Sequence, residues 1–541
     1  MKLKSSSENQ LRTNQDEERL QDQINTLLKE VKGKTSRLYP SFNMAEITLQ
    51  EEADVLNVIK ILMKKDEVVH AEPNYIVEKA DIPDDPGYDS LWGMDKIDAP
   101  GAWDVTNGSN EVVVPVIDSG IDYTHPDLKD NMWTSENGNH GYNAVNDSND
   151  PMDNSGHGTH VAGTIGAVGN NGEGVAGINW NVSLMGVKVL DSEGNGNVGD
   201  VISGLEYILN RSKDGENIFV TSNSWWGPSR SELLYDAIKE HLEEGILFIS
   251  AAGNEELNNG KAPSYPANYD LPNIISVAAT DQDDKLADFS NYGKRSVHVG
   301  APGIDINSTK LDGGYSSKKG TSMSVPHVSG LAALLASHNS SYDYYNLKNI
   351  ILSSADSSST LKGKNLVDGR INASSSLKQS PDPDDIRFWV HKPYISTQWR
   401  EKTKIMISLN DGVNPIREAD VRVEFSTDKG AVELVDDGSG SDHIEDDGYY
   451  TTGWTPKESD EVTLNITVQS EELDENLTKN VTVDVKLIHR ETAQSIVRTI
   501  LTVLVKIAKA IGGLLTFSLN VTNSSTAQYH PVCEVEKERC K

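Results

Sequence analysis

Apolar residues change their spacing along this chain, and each change predicts a different architecture. Near the N-terminus Ile24, Leu27, Leu28 and Val31 recur at helical spacing, and Met44–Leu49 alternates as a strand. Val55, Val58, Ile59 and Leu62 then fall on one face of a second helix within Glu51–Lys65. Val68–Val77 reads as extended, with Pro73 confining it to an edge or a turn. Met1-Lys2-Leu3-Lys4 reads as the end of a strand whose beginning is missing. Together these predict a small α+β unit over 1–80, closed by the polar, proline-rich Asp81–Gly87.

From Leu91 to Leu377 the pattern becomes one of unbroken apolar runs. Val112–Ile117, Ser183–Leu190, Ile218–Ser222, Ile246–Ala251 and Ile274–Ala279 alternate with helical stretches such as Val198–Leu209 and Ser231–Glu243. Strands apolar on both faces belong to a parallel sheet covered by helices, so an α/β domain is predicted over 81–380. Functional groups in such sheets gather at the carboxyl ends of the strands. Past a second linker, Pro381–Asp385, short alternating strands take over, among them Val421–Phe425, Val462–Val468 and Val481–Leu487. Acidic turns such as Asp446-Asp447-Gly448-Tyr449-Tyr450 separate them, which predicts an all-β, immunoglobulin-like sandwich over 386–487. In the last segment, 488–541, Arg498, Thr502, Lys506 and Lys509 punctuate the apolar run Ile496–Ile511 at helical spacing. That is an amphipathic helix with a narrow cationic stripe, suited to packing on the sandwich or to lying on a membrane surface. Its interior charges argue against spanning a bilayer.

A length of 541 residues implies several domains. The 49 Lys and Arg against 82 Asp and Glu leave a net charge of -33, which excludes nucleic acid as a partner because phosphate binding needs a basic face. Halotolerance, cation binding and solubility each account for that charge. The two cysteines, Cys533 and Cys540, stand at the extreme C-terminus, so no disulfide framework holds the body; they close a small loop or remain two thiols. Met1–Gln23 is polar and shows no secretory signal, which fits an intracellular protein or a chain whose biological start lies elsewhere. Sequons at Asn465, Asn476, Asn480 and Asn520 are compatible with glycosylation outside the cell.

Chemistry enters at four places. Asp118 in VIDSGID ends the first apolar strand, His157 in GHGTHVAG heads a small-residue helix, Asn254 in AAGNE ends another strand, and Ser322 in GTSMSVPHVSG heads an apolar helix. Taken singly, Asp118 is a cap, His157 a metal ligand or a satisfied polar residue, and Ser322 a helix cap. Pro326 is placed in the first turn of the Ser322 helix, where a missing N–H costs little. Taken together they supply what acyl transfer needs: a hydroxyl nucleophile, an imidazole to take its proton, a carboxylate to hold that imidazole, and an amide donor for the oxyanion. The order Asp, His, Ser and the four strings resemble the subtilase family of serine proteases.

The resemblance implies a subtilisin-like catalytic domain over 81–380, a mostly parallel sheet flanked by helices, preceded by an inhibitory, ferredoxin-like propeptide over 1–80. The region beyond Pro381 is not part of the shared core. It implies a serine endopeptidase acting through Asp118, His157 and Ser322 with Asn254 in the oxyanion hole, made as a self-processing zymogen. Ser224, Trp225, Trp226 and Gly227 resemble the strand that pairs with substrate, and Gly194, Asn195 and Gly196 the opposite edge. Trp226 stands where many members have glycine, which narrows or reshapes the primary pocket unless the indole turns outward. Ser264 would line the pocket floor, and Glu255 at its rim would favour basic side chains. A structural Ca²⁺ is implied at Asp127 and the loop Val168–Val175, with Asn171, the Val168 and Val175 carbonyls and Asp85 as ligands; the loop is one residue longer than usual. The family's second cation site is lost, since Arg295 and Val297 replace carboxylates. Ala71–Ala80 resembles the propeptide tail, with cleavage near Ala80 and Val77 in the fourth pocket. The expected partners are a peptide or protein substrate and the chain's own propeptide, for a monomer that is secreted or held at the cell surface. Two other readings use the same residues: an interaction protein whose sandwich does the work on a protease-like scaffold, and an exopeptidase with a blocked cleft end.

Overall fold

The computed structural model describes residues 2–3, 14–50, 53–74, 82–382, 385–391, 394–398, 402–426, 431–456, 461–470 and 476–488. The chain forms two units, Met1–Lys79 and Ala80–Lys541. The cationic segment Ile496–Ile511, Cys533, Cys540 and the cleavage point at Ala80 lie outside the described residues.

The first unit runs β1 (Lys2–Leu3), α1 (Asn14–Val31), β2 (Lys34–Tyr39), β3 (Met44–Thr48), α2 (Val55–Met63) and β4 (Val68–His70), with sheet order β2-β3-β1-β4. Leu20, Ile24, Leu28 and Val31 of α1 and Val58 and Leu62 of α2 pack on Leu3, Ala45 and Val68 of the sheet. Asp54 caps α2 by accepting the Asn57 N–H at 3.1 Å. Val55 does not share the buried stripe, being 44% exposed. It is the first helical residue, and its side chain covers the turn before its own Cα, where α2 has none. Strand β2 escapes the apolar pattern because it is mostly exposed and carries Lys34 and Arg37, as edge strands do.

The second unit opens with α3 (Trp92–Lys96), α4 (Ala99–Trp103), β5 (Gly108–Asp118), β6 (Gly141–Asn143), α5 (His157–Gly166), β7 (Asn181–Lys188), α6 (Val198–Lys213) and β8 (Val220–Asn223). It continues with α7 (Glu232–Glu243), β9 (Leu247–Ala251), β10 (Ile274–Thr280), β11 (Val299–Pro302), β12 (Ile306–Lys310), β13 (Gly314–Lys318), α8 (Thr321–His338) and α9 (Tyr344–Ser353). Strands β14 (Asp356–Ser357) and β15 (Gly369–Arg370) and helix α10 (Ala373–Lys378) complete it. The main sheet has the order β14-β15-β11-β10-β9-β8-β5-β7-β6, and all neighbours are parallel except β14 and β15. Chain order reverses direction at β5, which has β7 on one side and β8 on the other. Asp118 therefore ends a strand at the switch point of the sheet, where such folds open a crevice.

Helix α8 is buried on every side from Thr321 to Ala336. An all-round small and apolar surface is what a helix threading the core requires. Pro326 is its sixth residue, not part of its first turn, so its missing N–H does remove a bond to the Ser322 carbonyl four residues back. The Ser224 hydroxyl fills that place, donating to Ser322 O at 2.9 Å.

Beyond the main sheet lie β16 (Arg387–His391), β17 (Tyr394–Gln398), β18 (Thr403–Asn410), β19 (Asp420–Phe425), β20 (Ala431–Leu434), β21 (Tyr449–Trp454), β22 (Glu461–Gln469) and β23 (Leu477–Ile488). They form two sheets, β16-β18-β21 and β17-β23-β22-β19-β20. Both sheets line one core, which includes Val390, Ile407, Val423, Leu464 and Ile466 and a Phe425–Trp454 stack with centroids 4.3 Å apart. The turn before β21 is not merely acidic surface. Asp447 is buried and accepts from Tyr344 Oη of α9, while Asn346 Nδ2 of the same helix donates to Val413 O at 3.1 Å. Arg295 reaches Thr482 O of β23 at 3.4 Å, so the residue that replaces a carboxylate in the sequence pattern serves the contact with these sheets. No helix among the described residues is long and apolar enough to cross a membrane.

Candidate active site

Asp118 is fully buried, and its Oδ1 accepts the Ser119 N–H and faces His157 Nδ1, each at 2.7 Å. The pair is close because α5 packs hard against the end of β5. A Cβ on Gly158 would come within 2.1 Å of Gly120 O, so only glycine allows that approach. Burial pushes the His157 pKa down, but the charge and hydrogen bond of Asp118 outweigh it, and the imidazole ends above its ordinary 6.5. The other histidine of the motif behaves differently. His160 is buried, its Nε2 lies 3.0 Å from both Ile306 O and Ser316 O, and burial lowers its pKa to about 4. It is a neutral strut for the β12–β13 hairpin.

Ser322 is the second residue of α8, which follows Gly320, whose φ of 147° and ψ of 162° suit glycine alone. Its hydroxyl donates to Ser224 O at 3.0 Å rather than to the imidazole. Asn254 is exposed at the exit of β9, and its Oδ1 accepts both the N–H and the hydroxyl of Thr321, at 2.8 and 2.9 Å. With the carbonyl oxygen held in this way, Nδ2 is the group left to donate beside Ser322.

The residues predicted to hold substrate separate into two kinds. Trp225 and Trp226 are both half-buried, and Trp225 packs edge-on against Phe248 of the core, with centroids 6.4 Å apart. Gly227 exchanges both main-chain bonds with Tyr265, at 2.7 and 2.9 Å, which leaves Ser224–Trp226 as the usable edge. Gly194, Asn195 and Gly196 form an exposed turn in which Asp191 Oδ1 accepts the Glu193 and Asn195 N–H groups at 2.9 Å. Ser264 is buried, with an Oγ that has no partner among the described residues and lies 3.4 Å from the Cβ position of Gly253, and Glu255 is exposed.

The sequence pattern matches the subtilase family over residues 109–375 and the fervidolysin N-terminal prodomain over residues 16–74. The chain is 36% identical over 303 residues to the thermophilic serine proteinase of Bacillus sp. (strain AK1), covering 56% of this chain and 70% of that protein. The chain belongs to the subtilase family. Thermitase of Thermoactinomyces vulgaris is 37% identical over 54% of this chain and 97% of its own length. Subtilisin amylosacchariticus of Bacillus subtilis subsp. amylosacchariticus is 35% identical over 63% and 83%. This subtilase is thus a subtilisin-like serine peptidase with an N-terminal prodomain.

Three residues of the subtilase site went unremarked in the sequence. Asp153 accepts from Ser119 Oγ, from the N–H groups of Ser155 and Gly156, and from the N–H and hydroxyl of Thr159, at 2.7–3.0 Å, and so fixes the start of α5. Its place four residues before a histidine-headed helix was the available signal. Lys188 stands opposite Asp118 in the sheet and donates to Ser119 O, Asn154 Oδ1 and Leu190 O at 2.6, 2.8 and 2.9 Å. A lysine inside an unbroken apolar run announces a buried, saturated ammonium. Lys318 bonds Gly156 O at 2.8 Å.

The loop expected to bind a cation has the right donors. Asp85 and Asp127 are 4% and 0% exposed, and neither joins an ion pair among the described residues. Burial raises both carboxyls, Asp127 to about 6, with the charge of Asp85 adding to the rise. Asp127 accepts from Asn171 Nδ2 and Val175 N at 3.0 and 2.9 Å, and its own carbonyl accepts from Val168 N at 2.9 Å. Asp85 accepts from Asn170 N at 2.6 Å. Two buried carboxylates in an amide-lined loop fit a hard dication. Asn171 turns its nitrogen to Asp127 while its Oδ1 accepts from Glu173 N at 2.7 Å, so this amide must turn over to act as a ligand. A second acidic group, Asp436, Asp442 and Asp447, brings carboxylate oxygens within 4.8 Å of one another, but main-chain N–H groups and Tyr344 already bond them.

Proposed function

We propose that Ser322 is the nucleophile, His157 its base and Asp118 the acid that orients the base, in a serine endopeptidase that cleaves internal peptide bonds through an acyl-enzyme. The observation that carries this reading is the 2.7 Å His157–Asp118 pair at the switch point of the sheet. As a peptide carbonyl enters, the Ser322 proton leaves Ser224 O for His157 Nε2, while Asp118 keeps the Nδ1 proton in place and stabilises the imidazolium. The Nδ2 of Asn254 and the Ser322 N–H, a first-turn amide of α8, receive the oxyanion. His157 then returns the proton to the departing amine, and water repeats the cycle on the ester. An extended substrate lies between Ser224–Trp226 and Gly194–Gly196, read mostly through its main chain. Trp226, half-buried on this edge, shapes the primary pocket with Ser264.

The test is a fluorophosphonate probe, which labels the wild-type protein at Ser322 under this reading; an unlabelled protein overturns it. Asn254→Ala is expected to lower kcat about 100- to 1000-fold with KM little changed, a magnitude established on subtilisin itself. Steady-state kinetics check it, and an unchanged kcat removes Asn254 from the oxyanion hole.

The βαββαβ order of the first unit supports a ferredoxin-like propeptide that makes the protein a zymogen, with self-cleavage near Ala80. The two C-terminal sheets around one core support an immunoglobulin-like sandwich. Export, to the medium or the cell surface, fits a zymogen of this family. Ca²⁺ is the cation we assign to Asp127, Asn171, Asp85 and the Val168 and Val175 carbonyls; when bound it offsets the two buried carboxylates and braces the loop. Chelation is expected to lower Tm by about 5–15 °C, and Asp127→Asn to remove most of that response. A Tm indifferent to chelator rejects the assignment.

A further inference from the structure

The two segments assigned to the primary pocket are both pinned to one cluster of aromatic rings. Gly227, next to Trp226, exchanges main-chain bonds with Tyr265, next to Ser264, at 2.7 and 2.9 Å. Ser231, which caps α7, donates its N–H to Tyr269 Oη at 3.1 Å, and its carbonyl accepts from that hydroxyl at 2.8 Å. The rings of Tyr265 and Tyr269 have centroids 4.9 Å apart, and Tyr235 of α7 stands edge-on to Tyr269 at 5.4 Å. Arg230 lies 4.8 and 5.4 Å from the centroids of Tyr235 and Tyr269, so the two rings share one cation. Packed rings leave little free volume, and where Tyr235 stands therefore decides where Tyr269 and Tyr265 stand.

A residue from the C-terminal sheets completes this cluster. His443 lies between β20 and β21, and its Nε2 is 2.9 Å from Tyr235 Oη. That hydroxyl lies on the long axis of its side chain, so a bond there fixes the far end of the ring. His443 is itself held. Asp442 accepts the N–H groups of His443 and Gly438 at 2.9 and 2.7 Å, and Ile444 packs on the core around the main sheet. Burial lowers the His443 pKa to about 4, so a neutral imidazole meets the phenol.

We propose that His443 is a positioning residue: by holding Tyr235 it makes the C-terminal sheets a brace for both walls of the primary pocket. The proposal rests on the triad and pocket readings above. His443 acts on how well a substrate side chain fits and leaves the acyl-transfer step alone, so its contribution appears in KM rather than kcat.

The experiment compares quenched fluorescent peptides identical except for Leu or Ala on the acyl side of one cleavage point. His443→Ala is expected to raise KM for the Leu peptide about 3- to 10-fold, the worth of one hydrogen bond, while kcat and the KM of the Ala peptide stay within about twofold of wild type. Tyr235→Phe, which keeps the ring and loses Oη, gives the same rise, and the double variant adds nothing to it. His443→Gln, whose amide can bond the phenol, restores the wild-type KM. A loss of stability alone would instead shrink the active fraction and lower apparent kcat equally for both peptides. That result, a Leu-peptide KM that does not rise, or single effects that add overturns the proposal. Fluorophosphonate labelling of the wild type separates this failure from that of the triad reading.

Discussion

Ser322→Ala is expected to lower kcat about a million-fold, to abolish fluorophosphonate labelling and to leave the chain with its N-terminal unit uncleaved. The size of the fall is the one established on subtilisin. What remains is the work of substrate binding and of Asn254, which polarises a carbonyl without any nucleophile. The fold is expected to survive, because the start of α8 does not depend on the hydroxyl. Gly320 N–H donates to Gly303 O at 2.9 Å, Thr321 is held by Asn254, and Ser224 still donates to the Ser322 carbonyl. Three measurements check this: kinetics, N-terminal sequencing, and a Tm within a few degrees of wild type. A labelled or self-processed alanine variant would move the chemistry elsewhere.

Asp118→Asn has the next largest expected effect, a fall in kcat of about ten thousand-fold. An amide that turns its NH₂ to Nδ1 favours the tautomer with hydrogen on Nε2, where the base must be vacant. The pH profile carries a second signature. Activity needs neutral His157, so kcat/KM is lost as pH falls through the imidazole pKa. Burial lowers that pKa and Asp118 more than restores it, which sets the wild-type acid limb above the ordinary 6.5. Without the carboxylate, burial and the Lys318 charge lower the pKa and only Asp153 opposes them, so the limb of the residual activity is expected at lower pH than in the wild type. An unmoved limb would show that Asp118 is not the electrostatic partner. Folding stability is expected to fall modestly, because the oxygen that faces Nδ1 also accepts the buried Ser119 N–H, which an NH₂ in its place cannot do.

The four chemical residues could be found in the sequence because the signals that mark them are local. Asp118 and Asn254 follow unbroken apolar runs, and His157 and Ser322 precede stretches of small and apolar residues; the structure has them at strand exits and helix starts. Asp153, Lys188 and Lys318 were harder to find because each has a partner far along the chain, 34, 69 and 162 residues away. Charged residues look alike in a sequence whether they end in water or against a distant carbonyl. Val55 failed for a related reason: periodicity assigns a face to every residue of a helix, but the first turn has nothing before it to cover.

The sequence by itself determined the kinds of layer, the order of the motifs and the candidate reactive groups, since period and motif are properties of neighbouring residues. Only the tertiary structure decided how those groups are held. Pro326 would be a defect in α8 but for Ser224, which donates to the carbonyl that the proline leaves open, that of Ser322, 98 residues along the chain from Ser224. Asp447 would be one more acidic turn residue but for Tyr344, 103 residues away, which buries it. The free energy of a polar group depends on what surrounds it after folding, and that environment is assembled from segments far apart in the chain.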